Sequence, residues 1–253
     1  MLSDQQIERF KQKGFLSGIP AMTDEQVGHY HSQFDTLEAE AGKTQATNKL
    51  FDGHFEHQFI WEIATLPSIL ECVEVLIGPN VLLLGTHFFC KYGPTTKFVA
   101  WHQDVTYWAL DPPLEITAWV AIDDSNRENG CMRVIPCSHH QQIVEHGKSK
   151  QEGNLLSINQ EVSVSEQDEQ LAEDCVLKAG EMSLHEGMLL HGSLPNHSTR
   201  RRCGLAVRYI PTTVRPTGHG PAGSNWTWKP LLVRGVDQEH HFQPAEHPFP
   251  LAV

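Results

Sequence analysis

Ile69, Val73, Leu76 and Ile77 fall on one stripe of a helix, and beyond residue 81 that spacing gives way to short β-branched and aromatic runs. The stripe belongs to "PSILECVEVLI", which has Pro67 at its start and Gly78 just past its end. Two earlier helices carry capping boxes. Ser3 with Gln6 opens the first, which stops at Gly14; Thr23 with Gln26 opens the second, which runs to Gly42. From Val81 onward, "VLLLGTHFFCKYG", "FVAWHQD", "EITAWVAIDD" and "CMRVIPCSH" read as strands cut by Gly, Pro and Asp-Asp turns. A polar excursion over about 145–172, partly helical, interrupts them. Strands resume with "CVLKAGEMSLHEGMLLHGS" and "CGLAVRYIPTTV". The pattern predicts one domain, mainly β with flanking helices packed on a double-sheet β-roll. It divides into a helical N-terminal region (residues 1–80), a β-roll core (residues 81–214) and a C-terminal extension (residues 215–253).

Composition narrows the classes. Nineteen basic and 31 acidic residues give a net charge of −12, which argues against duplex nucleic acid as a partner. No apolar run approaches the roughly 18 residues a membrane helix needs. The N-terminus lacks the apolar core of a secretory signal, so a cytoplasmic location is expected. The six cysteines form no C-x-x-C, Cys131 and Cys137 make a poor zinc pair, and free thiols are expected.

The chemistry concentrates in "WHQDVTYW". In a strand, His102 and Asp104 share a face while Gln103 points away, and together they offer a divalent metal two ligands. His185 and His191, in "SLHEGMLLHGS", are the candidates for a third. Two histidines and a carboxylate form the facial triad of non-haem Fe(II) oxygenases; zinc is the competing metal. The basic run in "NHSTRRRCGLAVRY" leads into a strand and could supply an arginine that grips a dicarboxylate end-on, the other two lying in a solvated turn. Trp119 could wall the same pocket.

Taken together, "WHQD", "TAWVAIDD", "ENGCMRVIPCSHH", "KAGEMSLHEGMLLHGSLPNHSTRRRCGLAVRYIP" and "LVRGVDQEHHF" resemble the phytanoyl-CoA dioxygenase family over about residues 5–242. The resemblance implies a double-stranded β-helix, the jelly-roll or cupin-like core, and an iron enzyme using 2-oxoglutarate and O2. It places the metal ligands at His102, Asp104 and His191, the last because it opens "HGSLPN". It places the 2-oxoglutarate arginine eleven residues further on, at Arg202, with Ser193 and Trp119 beside it; Arg200, Arg201 and Arg208 do not inherit that role. Cys137 stands in a turn where glycine is usual, and Glu186 follows His185 where a second histidine is common. The reaction implied is C–H hydroxylation with release of succinate and CO2. Related halogenases replace the carboxylate that Asp104 keeps here, which favours hydroxylation over halogenation.

The expected substrate is a small polar metabolite such as an organic acid, a phosphonate or an amino-acid-like molecule. His87, Lys97, Thr106, Tyr107, Trp108, Glu186 and Arg215 are candidate contacts, with Trp226 and Trp228 as further aromatic candidates. An acyl-CoA hydroxylase, a zinc hydrolase and a non-catalytic cupin-like binding module are the alternative readings. Oligomeric state is not legible.

Overall fold

A computed structural model of the chain describes residues 1–43, 50–218, 228–243 and 245–251; Trp226 lies outside the described residues. Two antiparallel sheets face each other. The larger is built from β1 (Phe15–Pro20), β2 (Val81–Lys91), β4 (Ile116–Ala121), β7 (Glu181–Glu186), β9 (Arg202–Pro211) and β10 (Leu231–Arg234), in the order β1-β7-β4-β9-β2-β10. The smaller holds β3 (Val99–His102), β5 (Met132–Val134), β6 (Glu173–Cys175) and β8 (His191–Ser193), in the order β3-β8-β5-β6. The larger sheet thus reaches beyond residues 81–214 at both edges. Among the described residues, no helix is long and apolar enough to cross a membrane.

Helix α1 (Asp4–Lys13) and helix α2 (Asp24–Ala41) have both capping boxes in place and end at Gly14 and Gly42. Helix α3 (Gln58–Ala64) has no side-chain cap, and α4 (Pro67–Ile77) follows with Pro67 in its first turn. A short helix, α5 (Glu166–Gln170), lies in the polar excursion.

Strand alternation divides the larger sheet's two faces between stability and chemistry. On β9, Cys203, Leu205, Val207 and Tyr209 join the helices in the main apolar core. Phe34 of α2 is fully buried there, its ring 4.7 Å from that of Phe88 on β2. Burying such a side chain contributes about 1.5–3 kcal/mol, and the ring pair roughly 0.5–1.5 more. The intervening positions Arg202, Ala206 and Arg208 line the cavity between the sheets. Arg201 is not in a solvated turn. It binds both oxygens of Asp123 (2.8 and 2.9 Å) and reaches Asp35 (2.7 Å) and Glu38, tying the start of β9 to α2.

Candidate metal centre

His102 closes β3, and its partner across the ladder is His191 at the start of β8. Asp104 does not share their strand. β3 ends at His102, and Asp104 opens a 3₁₀ turn over Asp104–Tyr107, which swings its carboxylate under the two rings. Gln103 fixes that bend. Its side chain donates to Met188 O (2.8 Å) and accepts from Val144 N (2.8 Å). The H-x-D spacing therefore converges through a turn, rather than through strand alternation.

Nitrogen and oxygen donors of His102, Asp104 and His191 all lie within 4.8 Å of one another, and all three residues are buried. Asp104 Oδ1 is 3.3 Å from His102 Nε2 and 3.7 Å from His191 Nε2. Each ring uses its other nitrogen on the backbone: His102 Nδ1 donates to Ala100 O and His191 Nδ1 to Leu189 O, both at 2.9 Å. A carbonyl only accepts, so each proton sits on Nδ1 and each Nε2 lone pair faces the common centre. Burial, then the neighbouring His102 and His185, hold the His191 imidazole well below its ordinary range, in the neutral form a metal needs.

The second oxygen of Asp104 is occupied by protein. Thr117 Oγ1 donates to Oδ2 (3.0 Å), and Arg208 Nε lies 3.4 Å from it. Burial opposes the charge on Asp104, but Arg208 and the His102 and His185 contacts hold its carboxyl well below the usual range. Thr117 Oγ1 also lies 2.6 Å from Glu115 Oε1. One hydroxyl proton cannot serve two carboxylates. Burial, then the Asp104 charge, push Glu115 well above the ordinary carboxylate range. A carboxylate with one oxygen tied and one aimed inward, beside two oriented imidazoles, is the donor set of a divalent transition metal.

His185, the other histidine weighed for this centre, sits beside the triad on β7. Its Nε2 is 3.8 Å from Asp104 Oδ2, the oxygen that Thr117 and Arg208 also face, and neither ring nitrogen has a hydrogen-bond partner among the described residues.

Arg202 lines one end of the cavity; Lys91, its partner across the β9–β2 register, is not among the lining residues. Arg202 donates to Gly130 O (2.8 Å) and lies over the Trp119 ring at 5.3 Å, while its buried Nε has no partner among the described residues. Lys91 is fully buried, donating to Ser193 Oγ (2.6 Å), Gly130 O (3.3 Å) and Leu194 O. Burial, then the Arg202 charge, push the Lys91 ammonium toward neutrality. Arg202, held by carbonyls and one hydroxyl and facing the cavity, gives this end a positive charge suited to a carboxylate. Gly204 makes the stacking possible: a Cβ there would stand 2.1 Å from the Trp119 ring.

At the other end, a second cavity runs between His87, Tyr107, Trp108, Asp52, Arg208 and Trp228. Of the candidate substrate contacts, His87, Tyr107 and Trp108 line it. Lys97, Thr106, Glu186 and Arg215 line neither cavity. Thr106 is turned back onto Gln103 O (2.8 Å), and Arg215 is paired with Asp111 (2.7 Å). Glu186 ties its backbone N–H to Gly14 O. All six cysteines are free.

Sequence reading passed over Lys91, Glu115, Thr117, Asp52 and, as a cavity group, Arg208. The signal for three of them was present. Lys91, Thr117 and Arg208 are polar residues inside otherwise apolar strand runs, in step with the inward-facing positions.

The family model described as "Phytanoyl-CoA dioxygenase (PhyH)" matches residues 2–204. A human protein named "Phytanoyl-CoA dioxygenase, peroxisomal" is 28% identical over 158 residues, 61% of this chain and 46% of its own length. The chain thus spans about half of that relative. A Stutzerimonas stutzeri protein named "Probable alpha-ketoglutarate-dependent hypophosphite dioxygenase" is 28% identical over 211 residues, 80% of this chain and 69% of its own. A solved structure described as "non-heme monooxygenase; ThoJ apo" superposes with a TM-score of 0.79 at 29% identity, covering 96% of this chain and 88% of that one.

Proposed function

Because the chain belongs to the phytanoyl-CoA dioxygenase family, we propose that it is an Fe(II)- and 2-oxoglutarate-dependent dioxygenase that hydroxylates a C–H bond of a small polar metabolite. The observation carrying this is the convergence of two Nε2 lone pairs and Asp104 Oδ1 on one buried point, with the remaining Asp104 oxygen tied off. His102, Asp104 and His191 would hold Fe(II). Once bound, the iron with 2-oxoglutarate supplies O2 activation, releasing succinate and CO2 as the substrate is oxidised.

The protein's own contribution is positioning. The backbone bonds from Nδ1 of both histidines fix the tautomer and ring plane. Thr117 and Arg208 hold Asp104 to a single inward oxygen. Arg202 and Ser193 receive the far carboxylate of 2-oxoglutarate, Lys91 holds Ser193 through its hydroxyl, and Trp119 walls the site. The substrate occupies the second cavity, next to the centre without ligating it. That cavity is about 60 Å³, the room of a few water-sized groups, which favours a compact substrate over an acyl-CoA chain. A relative named for hypophosphite, itself a small polar anion, supports the same reading.

Anaerobic titration tests it. Fe(II) followed by 2-oxoglutarate should produce a weak visible charge-transfer band that needs both, and zinc should produce none. His102→Ala, Asp104→Ala and His191→Ala should each abolish the band. Arg202→Ala should raise the 2-oxoglutarate concentration required by roughly 10–100-fold, the loss of a charged hydrogen-bonded contact, with a smaller effect on substrate. Zinc-supported hydrolysis independent of 2-oxoglutarate would instead identify a hydrolase.

A further inference from the structure

Two charged groups of opposite sign border the second cavity, and neither is fully used by the protein. Arg208 is 7% exposed and spends Nε on Asp104, while its guanidinium stacks over Trp108 at 5.3 Å. Its two terminal amino groups make no hydrogen bond among the described residues. Asp52 is pinned to β2 by its backbone N–H to Thr86 O (2.8 Å) and by Thr86 N to its Oδ1 (3.2 Å). Its Oδ2 takes no hydrogen bond among the described residues. Gly85, the register partner of Arg208, clears the space for this carboxylate: a Cβ there would stand 2.8 Å from Asp52 Oδ1. In the same cavity His87, 5% exposed and stacked on Phe51 at 4.0 Å, has a buried Nε2 without a partner among the described residues. Leu155, Leu156 and Trp228 supply apolar wall.

Resting on the dioxygenase reading above, we infer that this cavity takes a compact zwitterion, an α-amino acid or close analogue, with its carboxylate on Arg208 and His87 and its ammonium on Asp52. A simple anion would occupy Arg208 and leave Asp52 Oδ2 without a donor beside it. A simple amine would face the guanidinium. Only a molecule carrying both charges uses Arg208 and Asp52 together, and a group left unpaired in so enclosed a site is costly. Arg202 and Arg208, six residues apart on the same face of β9, then divide the labour, one for the cosubstrate's carboxylate and one for the substrate's.

The test uses the protein loaded anaerobically with Fe(II) and 2-oxoglutarate and then exposed to air. Succinate release is measured with the twenty protein L-amino acids, each beside its deaminated acid and its decarboxylated amine. At least one amino acid should raise succinate release about tenfold or more over the amino-acid-free rate, and its two single-charge counterparts should not. Asp52→Asn and Arg208→Gln should each raise the half-saturating concentration of that amino acid at least about tenfold. The loading band is read in the same samples, so that a loss of metal or 2-oxoglutarate is separated from a loss of amino-acid response. Full response to an acid or amine counterpart, or a loaded protein that answers to no amino acid, overturns the zwitterion assignment. Failure of the loading band in the native protein overturns the dioxygenase reading instead. The native-protein panel decides the question even if neither variant folds.

Discussion

Thr117 determines how Asp104 meets a metal. Its hydroxyl stands between two buried carboxyl groups, 3.0 Å from Asp104 Oδ2 and 2.6 Å from Glu115 Oε1. Removing the hydroxyl leaves Oδ2 with the longer contacts to Arg208 (3.4 Å) and His185 (3.8 Å) and loosens the carboxylate. Thr117→Val keeps the side-chain volume, so it should weaken Fe(II) binding by roughly 10–100-fold, the usual effect of losing a group that orients a ligand. Thr117→Ser should restore it. Metal affinity measured by anaerobic titration, with no turnover involved, checks this; equal affinities in the Val variant and the native protein would remove Thr117 from the account. The three residues that converge, His102, Asp104 and His191, were legible in the sequence because their types and spacing are rare in combination. Thr117 and Glu115 were not, since a Thr and a Glu near a strand start have many ordinary uses, and only the fold brings them under Asp104.

Helices α1, α2 and α4 could be read with their ends because the signals are local: capping boxes, a proline in the first turn and glycines past the last. Helix α3 lacks a side-chain cap and offered no such signal. The strands passed over include β1 and β10, which are the two edges of the larger sheet. β1 contains Gly18 and Pro20 and is irregular between Leu16 and Ile19, features that an edge tolerates and that hide a strand in the sequence. The turn after β5 shows the reverse case. The backbone of Cys137 lies at φ 67°, ψ −2°, the left-handed region that favours glycine and costs a residue with a Cβ about 1–2 kcal/mol. Cys137 is exposed and its side chain is not part of the core. Cys137→Gly should therefore stabilise the protein by about 1 kcal/mol or less, after the extra entropy glycine loses on folding. A urea denaturation curve with a higher midpoint and an unchanged slope would bear this out; a lower midpoint would mean that the thiol makes a stabilising contact.

The inner face of the barrel holds charge and the outer face holds the helices, and burial of ionisable groups between them links overall stability to pH. His54 is 1% exposed, its Nδ1 2.9 Å from Thr86 Oγ1, and burial lowers its pKa from 6.5 to about 4. His87 is lowered to about 3 by burial, with Arg208 adding to the effect. In the unfolded chain both imidazoles protonate near their ordinary value. Above that value both states are neutral there, and neither histidine makes stability depend on pH. As the pH falls through 6.5, the unfolded chain takes up protons that the folded protein cannot, so stability drops by about 1.4 kcal/mol per pH unit for each histidine. For His54 the loss runs until about pH 4, where the folded imidazole itself protonates. His54→Gln can keep a bond to Thr86 Oγ1 and does not titrate. The difference in unfolding free energy between the variant and the native protein should be constant above about pH 7. It should then move in the variant's favour as the pH falls toward 4.5, reaching roughly 2–3 kcal/mol. Acid titration of the carboxylates acts on both proteins alike and cancels in the difference. Urea unfolding of both at pH 7.5, 6, 5 and 4.5 measures it, and parallel curves throughout would show that His54 is not held neutral in the folded state.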